Sequence, residues 1–162
     1  MKKALLGLAV VSAVTYAAWN LRGSSSTTGE PDTLAENVVL DRLWIDHMPR
    51  NDRDIIQVFV AITEQPFGIF QATSQWKGNF ELFQYEASGG EIRIVYGQTG
   101  EREKVKARGT KCSEKGMDYC LQLDGATRGV KKYYSMEGWE IDHVATVDEI
   151  RTRVQALVES QQ

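Results

Sequence analysis

The sequence predicts a mainly β protein: about eight antiparallel strands in up-and-down order, closed as a barrel or held as a strongly curved sheet, with one C-terminal helix. Three observations predict it. Beyond residue 36 the apolar side chains recur mainly at every second position, the period of strands. Short turns rich in Gly, Pro, Asn and Asp separate the runs, and such turns suffice for antiparallel neighbours, whereas parallel ones need long crossovers. The last apolar segment changes to a helical period.

In chain order, Lys2 and Lys3 precede an uncharged stretch over residues 4–21, mostly Ala, Leu and Val. This is the pattern of an export signal, and it is also long enough to cross a bilayer. Residues 1–22 are therefore read as a signal peptide or an N-terminal membrane anchor. Thr15 and Ala17, or Val11 and Ala13, could occupy the small-residue positions before a cut; Trp19 and Arg22 would suit an anchor retained at the interface. Either way the domain is exported, periplasmic or extracellular, and residues 4–21 tie it to the membrane if they stay uncleaved. No cysteine lies near the leader, which excludes a bacterial lipoprotein anchor. Residues 23–35 are small, polar and linker-like. Residues 36–162 are long enough for a single β domain.

Eight apolar runs follow, over residues 37–46, 54–63, 67–75, 80–86, 91–96, 101–110, 119–123 and 130–135. The second is the strongest: Ile56, Val58, Val60 and Ile62 mark one face, and Phe59 and Ala61 make the other fairly apolar too, so that second face could be covered as well. In the fourth, Phe80 and Leu82 oppose Phe83 and Tyr85. The sixth is charged, with Val105 and Ala107 among few apolar residues. Closing such strands into a barrel removes exposed edges. The helix is expected over residues 146–160: Thr146 and Glu149 stand at capping-box spacing, and Val147, Ile150, Val154, Leu157 and Val158 share one face. That face is expected to pack on the outside of the sheet.

The only cysteines are Cys112 and Cys120. An even number in an exported chain suggests a disulfide, and the polar, Gly-containing segment between them reads as a hairpin loop.

Eight sequential strands followed by a helix resemble the layout of lipocalin-like (calycin-type) barrels from about Asn37 onward. The resemblance lies in the order of elements. Where that family carries G-x-W, this chain has Leu43-Trp44-Ile45, and Trp76-Lys77-Gly78 stands mid-chain in the opposite order, so no ligand residue carries over. What the resemblance implies is a barrel mouth able to bind a small apolar molecule.

Few residues suggest chemistry. The two histidines stand in matching phrases, Asp46-His47 and Asp142-His143, each following a nearby tryptophan. If barrel closure joined them, they could ligate a metal or share a proton, although adjacent strand residues point to opposite faces. Lys104, Lys106 and Arg108 share one strand face, and Arg128, Lys131 and Lys132 start the strand two elements on, a candidate anion-binding patch interrupted by Glu101, Glu103, Glu114 and Asp124. The chain has a formal charge of -3, which gives no general attraction for nucleic acid. There is no G-x-S-x-G, P-loop, H-E-x-x-H or G-x-G-x-x-G sequence, so no catalytic residue is assigned and no cofactor is expected. The sequence thus points to an exported, non-enzymatic protein that binds a small apolar ligand or an envelope protein. The rivals are a membrane-anchored structural or assembly factor without a ligand cavity, and a hydrolase built on the Asp/His pairs.

Overall fold

The computed structural model describes residues 39–74, 77–141 and 145–160, with residues 157 and 158 by their backbone alone. The leader, the linker, Asp142 and His143 lie outside the described residues. Eight strands close into one antiparallel barrel in sequence order: β1 (Trp44–Ile45), β2 (Ile56–Ile62), β3 (Phe67–Thr73), β4 (Gly78–Ser88), β5 (Glu91–Tyr96), β6 (Arg102–Lys111), β7 (Tyr119–Asp124) and β8 (Lys132–Ser135). One helix follows, α1 (Val147–Glu159).

Alternation along the strands builds two apolar layers. Phe59 and Ala61 of β2, Phe70, Phe83, Tyr96, Leu121, Leu123 and Tyr133 face the barrel interior. Ile56, Val58, Val60 and Ile62 of the same β2 face outward, where they form a second cluster with Leu43, Ile45, Ile69, Ile150 and Val154. This answers the doubly apolar second run: one side fills the barrel and the other lies under α1. The β3–β4 pairing places Gly68 opposite Phe83, and a Cβ at Gly68 would lie 2.2 Å from Phe83 Cζ. The missing side chain at residue 68 is therefore what lets the Phe83 ring lie across the strand.

The first strand is much shorter than the 37–46 run, with Trp44–Ile45 alone in the ladder. Asp41 takes a left-handed φ of 51°, and its carboxylate accepts from Thr63 N at 2.8 Å. That local turn draws the backbone out of the ladder before Trp44. Even so, β1 completes the barrel: Trp44 pairs with Phe59, and Ile45 with both Val58 and Tyr134.

Two elements reinforce this short seam from outside. Cys112 and Cys120 form a disulfide with Cα atoms 5.7 Å apart. The loop between them folds back on the wall, burying Met117 in the outer cluster, pairing Glu114 with Lys132 at 2.6 Å, and donating from Lys115 Nζ to the Asp46 carbonyl at 3.1 Å. The second element is α1, whose start is fixed by the expected capping box: Thr146 Oγ1 accepts from Glu149 N, and Glu149 accepts from Thr146 N. Ile150 and Val154 are buried against the wall, and Arg153 donates to the Glu140 and Gly138 carbonyls at 2.7 and 3.2 Å. Among the described residues no helix is long and apolar enough to cross a membrane.

Candidate functional site

Three regions carry the residues that the sequence singled out: the barrel interior, the β1–β2 loop, and the cationic outer wall of β6 to β8.

The interior is occupied by its own side chains. Phe59, Phe70, Phe83, Tyr85, Tyr96 and Tyr133 form a continuous aromatic cluster with ring centroids 5.2–6.4 Å apart. These separations are those of direct ring packing and leave no layer for a ligand between neighbouring rings. Other groups flank both ends of the cluster, and beside Val39 and Leu40 a recess of about 430 Å³ remains, lined in part by Ala87, Ile92 and Ala107. At one end Val39 and Leu40 join the interior, and Trp44 Nε1 donates to the Val39 carbonyl at 2.8 Å. At the other, the β7–β8 loop folds inward. Arg128 Nε donates to Glu81 at 2.7 Å, its Nη2 donates to Glu101, and its guanidinium lies 4.7 Å from the centre of the Tyr96 ring. Thr127 N donates to Glu103 at 3.0 Å, and the Tyr96 hydroxyl donates to the same carboxylate. Burial, then the hydrogen bond to Glu103, pushes the Tyr96 phenol far above its ordinary range, so it stays a neutral donor. The bonds to Glu81 and Glu101 likewise raise Arg128.

At that same end, the β1–β2 loop surrounds His47 with carboxylates. Nε2 lies 3.1 Å from Asp54 Oδ2 and Nδ1 lies 3.0 Å from Asp46 Oδ1. Asp54 also accepts from Arg50 Nε at 2.8 Å and from the Arg50 backbone N at 3.1 Å. The Arg50 guanidinium, more than His47, holds the Asp54 carboxyl well below the usual carboxylate range. Asp46 is engaged as well, since Oδ1 accepts from Gln57 N at 2.8 Å. His47 thus sits between two carboxylates, and its Nε2 contact with Asp54 fastens the loop. Among the described residues no group of three or more His, Cys, Asp or Glu side chains is arranged to hold a metal ion. The structure brings Asp46 and His47 together; Asp142 and His143 are not among the residues it describes. The sequence reading missed Asp54 and Arg50, which meet His47 only because the loop turns back on itself.

The expected cations fall into separate groups. Lys104, Lys106 and Arg108 share the outer face of β6, as strand alternation requires. Lys104 lies 3.8 Å from Glu91, and Arg108 lies 3.7 Å from Asp124. Lys132 pairs with Glu114, whose hydrogen bond raises the lysine and is matched by a lowered Glu114 carboxyl. Arg128 belongs to the β7–β8 loop described above. Lys106 and Lys131 have no carboxylate partner among the described residues.

Together these features define a class: a closed eight-stranded antiparallel barrel, filled with aromatic side chains and stapled on its outer wall by a disulfide loop and one helix. No protein-family model, curated protein or solved structure matches the chain.

Proposed function

We propose that this is an exported, non-enzymatic envelope protein that acts through its outer surface on a protein partner, as a structural or assembly factor held at or released from the membrane by residues 1–22. The observation that carries this reading is the interior. A carrier of a small apolar molecule needs space along the barrel axis, and here the middle of the axis is occupied by packed rings. The closed eight-stranded order is consistent with the likeness to lipocalin-like barrels at a coarse level only, and the packed interior favours partner binding over holding a ligand inside. Export is supported by the leader pattern and by the Cys112–Cys120 disulfide, which persists in oxidising compartments. Among the described residues, the carboxylates beside His47, Asp46 and Asp54, fasten a loop, which favours a non-catalytic reading of that cluster.

Native mass spectrometry of the protein purified from its own cells tests the proposal. The expected species is the oxidised chain with no stoichiometric small molecule, in complex with a second protein under gentle lysis. A retained apolar ligand at one per chain would overturn it.

A further inference from the structure

The outer wall of the barrel is divided into two unlike halves. Over β1–β3 and β8 it is apolar and covered by α1 and the disulfide loop. On β4, Leu82 still packs against that apolar cluster and Arg151 lies over the Phe80 ring, while the remaining outer face of β4 to β6 carries Arg93, Arg102, Lys104, Lys106 and Arg108 against Glu86 and Glu91. The chain as a whole is acidic, at -3, so this concentration of cations opposes the overall balance.

Strand register organises a groove of about 980 Å³ on this half. Phe67, Gln84, Val95 and Arg102 are direct cross-strand neighbours from β3 to β6. Beside that row runs a second one, Glu86, Arg93 and Lys104. Phe67 and Val95 are partly buried and form the apolar part of the groove, while Arg93, Arg102 and Lys104 are exposed along it. Across four strands this surface spans roughly 15 Å, the length of about four to five extended residues.

Resting on the partner-binding reading above, we infer that this groove is the docking site, and that its occupant is an extended acidic segment of the partner, with an apolar side chain over Phe67 and Val95 and carboxylates at Arg102 and Lys104. Charge is the argument. Arg102 has no carboxylate partner among the described residues. Arg93 and Lys104 both turn to Glu91, at 3.2 and 3.8 Å, and each is more than three-fifths exposed. Such solvated pairs contribute little and exchange readily for an incoming carboxylate. Glu86 and Glu91 break the positive field into discrete spots, which suits spaced carboxylates on a chain better than a uniform anionic sheet of headgroups. The closed barrel offers no free strand edge along this wall, so recognition runs through side chains and not through strand addition.

The test uses the full chain in detergent micelles, titrated with a ten-residue alternating Val/Glu peptide and, as its counterpart, a Val/Lys peptide. The Val/Glu peptide is expected to bind, to weaken with salt, and to lose about tenfold or more in affinity with Arg102→Glu and Lys104→Glu together. Arg102→Gln with Lys104→Gln should give a smaller loss with an unchanged melting curve, and Lys131→Glu no loss. Equal binding of both peptides, indifference to these substitutions, or binding only to phosphatidylglycerol vesicles would overturn the proposal. Photocrosslinking in the protein's own cells separates the two levels of inference. Crosslinks from position 95 to an acidic peptide of one partner, lost with the charge reversal, support the groove. Crosslinks from position 55 alone, where the exposed Ile55 precedes β2 away from the groove, overturn the groove and leave partner binding standing, and none from either position removes both.

Discussion

Asp54 shows how a single side chain can fix a loop. It accepts from the Arg50 side chain and backbone and from His47, and its side chain is only 10 % exposed. Asp54→Asn keeps the shape but loses the charge-assisted character of these bonds, so it should lower stability by roughly 1–2 kcal/mol near neutral pH. The sign with pH follows from the lowered folded-state carboxyl. Its stabilisation is fully present above the ordinary value of 3.8, and is lost as pH falls from there through the lower folded value. Urea titrations of both proteins should therefore differ at pH 7 and converge on acidification below pH 4; a gap independent of pH would mean that the charge is not what matters. Gly68 acts by absence. Its Cβ would meet Phe83 at 2.2 and 2.4 Å and the Val60 carbonyl at 2.5 Å, so no small shift of one flexible group relieves it. Gly68→Ala should cost about 2–3 kcal/mol, read as a lowered melting temperature, because a packed core resists added volume.

At the scale of elements, the weakest closure is the β1–β8 seam, where the ladder is one residue pair, Ile45 with Tyr134. The disulfide loop lies over this seam, with Met117 in the outer cluster and Lys115 4.6 Å from the centre of the Tyr134 ring. Replacing both cysteines by serine should cost about 2–3 kcal/mol in the chain-entropy model. The loss should appear first as faster amide exchange in residues 112–118 and at Tyr134; uniform loss across all strands would show that the loop does not guard the seam. The elements themselves were largely readable in the sequence. Strand 91–96 and helix 146–160 match β5 and α1 with its caps because alternation and a capping box are local signals. The 80–86 run is lengthened to Gly78–Ser88 because β3 and β5 extend the pairing at either end, which no local pattern announces. Likewise β1 shrank because Asp41 bonds Thr63, twenty-two positions along the chain. The candidate sites were less readable for the same reason. Asp46 and His47 are adjacent in sequence, but Asp54 and Arg50, which decide their role, arrive through a loop; the groove exists only as a register among four strands.

For the molecule as a whole, the difference between a filled barrel and a ligand-holding one comes down to a few aromatic side chains. Phe83 is central among them, with ring centroids 5.2 Å from Phe70, 6.1 Å from Phe59, and 6.2 Å from both Tyr85 and Tyr96. It is 1 % exposed, so truncation to alanine removes a fully buried ring and leaves apolar walls around the vacated volume. Phe83→Ala should cost about 3–5 kcal/mol, since the rings around it can close the gap only in part. Walls of this kind keep a cavity dry and able to take up a small apolar molecule. Benzene or indole should therefore raise the melting temperature of Phe83→Ala and leave that of the natural chain unchanged. Equal stabilisation of both proteins would mean that the natural interior already has room for a guest, and that binding inside the barrel, not on its wall, is its use.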